Sequence, residues 1–195
     1  MRLVLATRNA HKRREFARLL PDHEIEGLAE SVVLPPEIGD TFVDNALPKA
    51  RAAAAATGRP AIADDSGVAA AALDGAPGVR SARYAGADAS DQENLDKLRR
   101  EVPAGSRLAY VCALAFVDPG RDEERLFEGC CSGVMAPAPR GSGGFGYDPV
   151  FVPDDRDDER TMAELDDTEK DEISHRGRAA RALAGWLARE REVAG

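Results

Sequence analysis

Two long apolar segments near the middle of the chain constrain its fold more than any other feature. Residues 107–118 read RLAYVCALAFVD and residues 124–135 read ERLFEGCCSGVM, and the turn DPGRDE, residues 118–123, joins them. Segments of this composition on either side of a Pro-Gly turn are typical of a β-hairpin. A chain of 195 residues with 43% hydrophobic and 31% charged residues can bury a substantial core around such a hairpin.

Helical patterns alternate with further short strands on both sides of this hairpin. Asn9 is positioned to cap a helix that runs to about Leu20, and Gly58 follows an Ala-rich helix over residues 41–57. Strands are expected at residues 2–7 and 61–64, and an amphipathic helix from Ser174 onward. This mixture predicts a single α/β domain, residues 1–195, with a mixed central sheet flanked by helices.

The net charge of −9 argues against a surface that binds nucleic acid through clustered basic residues. A site for an anionic substrate must therefore be local and assisted by a metal ion. Lysine occurs only at positions 12, 49, 97 and 170, which hints that each is placed where a compact ammonium group is needed. The chain shows no secretory segment and no membrane span, so we expect a soluble cytoplasmic protein without membrane contacts.

The three cysteines are expected to be buried structural thiols. Their number is odd and no CxxC spacing occurs among Cys112, Cys130 and Cys131. If Cys130 and Cys131 lie in a strand, their side chains face opposite sides.

Two adjacent acids, Asp64 and Asp65, lie in AIADDSG, where the predicted strand is expected to end. They belong either to a simple polar turn or to a functional site. A second group of acids, Glu37, Asp40 and Asp44, stands before the Ala-rich helix, where acids often only complement the helix dipole. Together the two groups could build the oxygen-rich site that Mg²⁺ prefers.

The segment TRNAHK, residues 7–12, leaves a strand and opens a helix. Backbone N–H groups at a helix start favour an anion, and the side chains of Thr7, Asn9 and Lys12 add donors. The alternative is an ordinary Asn9 cap with Lys12 on the surface.

A glycine-rich loop, GSGGFGYDP, contains the spacing G-x-G-x-x-G but is not followed by the helix that dinucleotide binding requires. Phe145, Tyr147 and Asp148 in this loop could stack on a base and contact its edge, or Phe145 could instead be part of the core. Further on, KDEISHRGRA places Lys170, His175 and Arg176 ahead of a helix, with no motif for a serine nucleophile.

Six segments taken together resemble the inosine triphosphate pyrophosphatase family, also called XTP/dITP diphosphatases. They are TRNAHK, TFVDNALPKA, AIADDSG, APGVRSARYAG, GGFGYDPVF and KDEISHRGRA, and they span residues 7–179 in the same order. The resemblance implies Mg²⁺-dependent hydrolysis of non-standard purine nucleoside triphosphates to the monophosphate and pyrophosphate. It also implies an elongated fold of two lobes with an active-site cleft between them, and a homodimer.

The resemblance also assigns roles by position. It implies that Asp65 is the general base and a metal-linked carboxylate, and that Glu37 is a second metal carboxylate. The triphosphate would be held by Thr7, Arg8, Asn9, Ala10, His11 and Lys12. Other nucleotide contacts are implied at Ser66, Phe145, Gly146, Tyr147, Asp148, Lys170, His175 and Arg176.

This chain departs from the family pattern in two places. Arg8 and His11 stand where the family's first loop often carries glycines, and Asp44 precedes Asn45 where a glutamate is common. The first departure puts the backbone approach to phosphate in question, and the second leaves Asp44 outside the expected metal site.

Two other functions fit parts of the sequence. One is a Maf-like pyrophosphatase that acts on modified pyrimidine nucleotides. The other is a nucleotide-binding or oligomerisation module whose acids are only structural. Metal-dependent pyrophosphate release and the preferred base distinguish the three hypotheses.

Overall fold

The structure, a computed structural model, describes the backbone of residues 1–194 and the side chains of residues 1–190. Within them one sheet has the strand order β2-β1-β3-β4-β5-β6. β2 and β3 pair with β1 in parallel, with Val4 opposite Ala61, whereas β6 pairs antiparallel with β5. The predicted mixed sheet is confirmed. The strands are β1 Arg2–Leu5, β2 Glu24–Gly27, β3 Ala61–Ala70, β4 Arg107–Asp118, β5 Glu123–Met135 and β6 Phe151–Pro153.

The predicted cap at Asn9 and the predicted helix end at Gly58 are confirmed, and the structure adds a capping box. Asn9 caps α1, Thr41 and Asp44 form a capping box on α2, and α2 ends at Gly58 with φ of 64°. A left-handed residue at this position favours glycine. The short helix α4 was not expected. The helices are α1 Ala10–Leu19, α2 Phe42–Thr57, α3 Asp91–Glu101, α4 Asp167–Ile173 and α5 His175–Ala194.

The chain forms two compact units, and β3, β4 and β5 contribute residues to both. Unit 1 contains Met1–Asp65, Cys112–Gly129 and the C-terminal helix from Arg176 onward. Unit 2 contains Ser66–Val111 and Cys130–His175. The expected single domain and the expected cleft stay predictions.

Unit 1 has one core cluster on each face of its strands. Alternate residues of β1, β3 and β4 belong to different clusters, as the two-residue period of a strand requires. One cluster joins these strands to α1 and α5 through large side chains, among them Leu3, Leu5, Phe16, Ile62, Leu114, Phe116 and Leu183. The other joins them to α2 largely through alanines, among them Ala46, Ala50, Ala53, Ala61, Ala63, Ala113 and Ala115. Short side chains on both partners let α2 lie close to the sheet.

Unit 2 has its own core, in which Tyr110 stacks on Phe151 with ring centroids 4.3 Å apart. The second half of β3 is held in this unit by Ser81. The Ser81 hydroxyl accepts a hydrogen bond from the Val68 amide at 2.9 Å and donates to the Gly78 carbonyl at 2.7 Å. None of the helices within the described residues is long and apolar enough to cross a membrane.

Two expectations about local structure are wrong. β3 does not end at Asp64 and Asp65 but continues through Ser66 to Ala70, so the acids lie in the middle of a strand. Cys130 is exposed, whereas Cys112 and Cys131 are buried as expected. The different exposure of Cys130 and Cys131 follows from the alternation of side chains along β5.

We expect Ser81→Ala to lower the free energy of unfolding by about 1–3 kcal/mol, because the buried Val68 amide loses its acceptor. Chemical denaturation measures this change. The exposed Ser31 provides a matched control, and Ser31→Ala should shift stability by less than about 0.5 kcal/mol. Equal effects of the two substitutions would contradict the assigned role of Ser81.

Candidate active site

The adjacent acids Asp64 and Asp65 face opposite sides of β3. Ile62 belongs to the cluster with α1 and α5, and Ala61 and Ala63 belong to the cluster with α2. By the same alternation Asp64 meets residues of α1 and α5, and Asp65 meets α2. One strand therefore supplies a carboxylate to each of two helical layers.

Asp64 is a buried anion between two cations. Its carboxylate lies 2.9 Å from the Lys12 ammonium and 3.2 Å from the Arg176 guanidinium, and 1% of the residue is exposed. Burial raises the pKa of this carboxyl, but the charges of Lys12, Arg176 and Lys49 outweigh burial and hold the pKa well below its usual range. Asp64 therefore stays ionised and fixes the position of Lys12.

Arg176 is equally buried and links Asp64 to α1. It donates to the Glu15 carboxylate at 2.5 Å, in addition to its two bonds to Asp64. The sequence predicts a nucleotide contact for Arg176, and that role stays a prediction. In this structure the guanidinium bonds to protein carboxylates on both sides.

Asp65 is held on the opposite face by Asn45 of α2. The Asn45 side-chain amide donates to Oδ2 of Asp65 at 2.8 Å, and its oxygen accepts from the Gly39 amide at 2.8 Å. Burial raises the pKa of Asp65, and the charge of Glu37 raises it further against the lowering effect of the Asn45 bond. A carboxylate with a raised pKa is a stronger base than an exposed one.

Lys49 lies one helical turn after Asn45 and binds the loop that carries Glu37. Its ammonium is 2.5 Å from Oε1 of Glu37 and 2.7 Å from the backbone oxygen of Asp64. Lys49 is buried, whereas about a third of the Glu37 side chain is exposed. Glu37 is thus tied to the same part of β3 as the two acids.

The first loop combines a helix cap with exposed donors. The Asn9 side-chain oxygen accepts from the amides of His11 and Lys12, and Thr7 Oγ1 accepts from the Asn9 amide. The cap interpretation of Asn9 is confirmed. Lys12 is not a simple surface residue, because its ammonium pairs with Asp64.

The other residues of the first loop bond to nearby parts of unit 1. Nδ1 of His11 is 2.9 Å from the Arg14 guanidinium, and the Arg8 guanidinium donates to backbone carbonyls between Leu28 and Val32. Ala10 is the exposed first residue of α1. The predicted triphosphate contacts of this loop stay predictions.

In unit 2 the predicted nucleotide contacts gather around Asp148. This buried carboxylate accepts from the Lys170 ammonium at 2.7 Å, from the Tyr110 hydroxyl at 3.0 Å and from the Phe145 amide at 2.9 Å. A Cβ at Gly144 would lie 2.0 Å from Asp148, and the φ of Gly144 is +67°. The glycine is therefore required for the loop to close over this carboxylate.

The other predicted nucleotide contacts of unit 2 range from fully buried to half-buried. His175 is buried and stacks on Tyr110 with ring centroids 4.7 Å apart. The Tyr147 hydroxyl donates to the Ser81 carbonyl at 2.7 Å, which is a bond within the core of unit 2. Phe145, Gly146 and Ser66 are half-buried, so the alternative that places Phe145 fully in the core is not supported.

The chain offers two carboxylates, those of Asp65 and Glu37, as ligands for a divalent cation at this site. Among the described residues, no group of three or more histidine, cysteine, aspartate or glutamate side chains is arranged to hold a metal ion. Asp65 and Glu37 are two carboxylates close enough to interact electrostatically. Mg²⁺ usually takes one or two carboxylates and completes its shell with water and substrate phosphates. Two oxygen ligands from the chain are compatible with that pattern.

Sequence reasoning missed Asn45 and Glu15, and it singled out Asp64 and Lys49 without predicting their partners. The spacing of Asn45 and Lys49 at i and i+4 was a usable signal, since it places both on one face of a helix. The rarity of lysine was another, because Lys12, Lys49 and Lys170 all bind buried or half-buried carboxylates. Nothing local distinguishes Glu15 from a surface acid of α1.

Comparison with known proteins gives consistent matches. The model of the Ham1 family matches residues 3–186. A dITP/XTP pyrophosphatase of Geobacillus kaustophilus is 49% identical over 93% of this chain and 91% of its own length. One from Shigella flexneri is 48% identical over 95% and 98%. A solved HAM1 protein of Coxiella burnetii has a TM-score of 0.85 and 42% identity, over 97% of this chain and 99% of its own.

We expect Asp64→Asn to lower the free energy of unfolding by about 3–5 kcal/mol, because Lys12 and Arg176 lose a buried counter-charge. Denaturation at neutral pH without added metal measures this loss. Glu24→Gln is the matched control, since the pair of Glu24 with Arg2 is exposed and should contribute little. A loss of the same size in both variants would refute the role given to Asp64.

Proposed function

This chain belongs to the Ham1 family, and from that premise we propose that it is a pyrophosphohydrolase of non-standard purine nucleotides. Its substrates would be dITP or ITP and XTP, and its products the nucleoside monophosphate and pyrophosphate. Hydrolysis of these nucleotides removes deaminated purines from the pool before they can be incorporated. The names of the relatives, dITP/XTP pyrophosphatase, support this substrate class.

The observation that carries the proposal is the placement of Asp65. It is a buried carboxylate with a raised pKa, oriented by Asn45, and the cation Lys49 belongs to the same unit. An oriented base beside fixed positive charge suits attack by water on a phosphoric anhydride.

We propose Mg²⁺ as the cofactor, held by Asp65 and Glu37 together with oxygens of the substrate. When bound, the ion would neutralise phosphate charge and polarise the phosphorus. The acidic composition of the chain supports this assignment, because a triphosphate needs local positive charge that a chain with a net charge of −9 does not otherwise supply.

The chain's own residues would act on a water molecule and the triphosphate. Asp65 accepts a proton from the water as the water oxygen bonds to the α-phosphorus. The bond from the α-phosphorus to the bridging oxygen breaks, and pyrophosphate leaves with that oxygen. Lys12, which Asp64 fixes in place, and the positive end of the α1 dipole hold the phosphates.

Base selection is proposed for His175 and Arg176. Hypoxanthine and xanthine present a carbonyl acceptor at position 6, whereas adenine presents an amino donor. Donors from His175 and Arg176 would satisfy the carbonyl and oppose the amino group, as the family resemblance implies. Unpaired polar groups in a buried site can discriminate by roughly 10⁴-fold. A homodimer and a cytoplasmic location are also proposed on the resemblance.

We expect the purified protein with Mg²⁺ to release pyrophosphate from dITP and XTP with a kcat/KM at least about 100-fold above that for dATP, because adenine mismatches the donors. A panel of dITP, XTP, dGTP, dATP and modified pyrimidine triphosphates measures this. Preference for pyrimidines would favour the Maf-like alternative. Nucleotide binding without pyrophosphate release would favour a binding module.

We expect Asp65→Asn to lower kcat for dITP by at least about 100-fold while the protein stays folded, because the base is lost. Circular dichroism and thermal unfolding check the fold. Asp88→Asn, which changes an exposed acid of unit 2, should leave turnover unchanged. Near-normal turnover in Asp65→Asn would rule out its role as base.

A further inference from the structure

Arg8 makes an unusual set of contacts for an exposed residue. Its guanidinium donates to four backbone carbonyls of one short segment, at 2.9 Å to Leu28, 3.0 Å to Ala29, 3.3 Å to Glu30 and 2.7 Å to Val32. Three of these bonds come from one nitrogen, which carries two hydrogens, so the carbonyls share its donors. The carbonyl oxygens of this segment converge on one positive charge.

The segment that Arg8 binds leads directly to Glu37. Residues 28–39 contain no helix or strand, and a turn bonds the Val32 amide to the Ala29 carbonyl at 3.1 Å. Pro35 and Pro36 then stiffen the chain up to Glu37. The far end is held by the Gly39 amide, which donates to Asn45.

At this far end Gly39 lies so close to α2 that its position has no room for a side chain. A Cβ at Gly39 would lie 2.5 Å from the Asp44 Cβ and 2.9 Å from the Asn45 side-chain oxygen. The segment that carries Glu37 is therefore fixed at one end by Arg8 and at the other by α2. Between these two attachments Val32 and Leu34 also pack against the cluster of α2, and Glu37 bonds to Lys49.

We propose that Arg8 is a positioning residue that holds Glu37 in place for the metal, rather than a ligand of the triphosphate. This inference rests on the proposed function, because it concerns the metal carboxylate of that site. Arg8 lies between Thr7 and Asn9, so one residue couples the phosphate loop to the segment that carries the metal carboxylate. The departure from glycine at position 8 thus has a structural role.

The chemistry of the contact predicts that lysine cannot replace Arg8. In Arg8 the planar guanidinium uses two nitrogens, because Nη1 donates to Leu28 while Nη2 donates to the other three carbonyls. A lysine ammonium offers three donors from a single atom. A phosphate ligand behaves differently, since a lysine can contact phosphate as a point charge. Arg8→Lys therefore separates positioning from direct phosphate binding.

The first experiment needs no substrate or metal. Exchange of the Val32 amide, which donates to the Ala29 carbonyl, is compared in the metal-free wild type, Arg8→Ala and Arg51→Ala. Arg51 is an exposed arginine that pairs with Glu124 and serves as the matched control. We expect exchange in Arg8→Ala to be at least about fivefold faster, because the loss of several hydrogen bonds lets the segment open more often. Unchanged exchange would overturn the proposal.

The second experiment measures the Mg²⁺ concentration for half-maximal hydrolysis of dITP. We expect about a tenfold increase in Arg8→Ala and in Arg8→Lys, in line with other residues that orient metal ligands, and no change in Arg51→Ala. The kcat at saturating Mg²⁺ should fall much less, because Asp65 is untouched. Guanidinium ion, but not an equal concentration of sodium, should partly restore the Mg²⁺ response of Arg8→Ala.

The outcomes separate this inference from the proposed function. Failure of the wild type to hydrolyse dITP refutes the function, and the exchange experiment still tests whether Arg8 holds the segment. Hydrolysis by the wild type with an unaltered Mg²⁺ response in Arg8→Ala refutes the positioning role alone. Wild-type behaviour of Arg8→Lys, or a change confined to the KM for dITP at saturating Mg²⁺, would show that Arg8 binds phosphate instead.

Discussion

The buried carboxylate of Asp64 is the interaction on which the rest of unit 1 depends. A charge in this position is tolerated only if it is paired, and Lys12 from α1 and Arg176 from α5 supply the pairing. Arg176 in turn binds Glu15, so the two helices and β3 form one buried ionic cluster. This ionic cluster contributes little net stability, but the loss of any one member leaves an unpaired buried charge, which is strongly destabilising. The first turn of α1, where we propose that phosphate binds, is therefore fixed to the sheet.

The second constraint is the alternation of β3. Asp64 meets the layer of α1 and α5, and Asp65 meets the layer of α2, where alanines on the helix and the strands allow a close approach. That approach brings Asn45 to Asp65, and Lys49 to Glu37 and the backbone of Asp64. The proposed base is thus positioned by ordinary packing of small residues, whereas Glu37 is positioned by the segment of residues 28–39 and its bond to Lys49.

Unit 2 also contains a buried carboxylate, but its hydrogen-bond partners differ from those of Asp64. Asp148 is buried among a lysine, a phenol and a backbone amide, and Gly144 provides the space for that contact. Tyr110 connects this group to the core, because it donates to Asp148 and stacks on both Phe151 and His175. A polar network of this kind holds its members in fixed positions. The Tyr147 hydroxyl, by contrast, bonds to the Ser81 carbonyl within the core.

The sequence by itself determined the features that depend on neighbours along the chain. These are the hairpin of β4 and β5, the cap at Asn9, the helix end at Gly58, and the motifs that place the chain in its family. Only the tertiary structure decided that β3 runs on through Asp64 and Asp65, which local turn propensity argued against. Neighbouring strands supply ladder partners and the helices supply counter-charges, and together they override that propensity. The partners of Arg8, Glu15 and Arg176 were equally hidden, because each contact joins residues 20 or more positions apart, and no pattern along the chain encodes such distances.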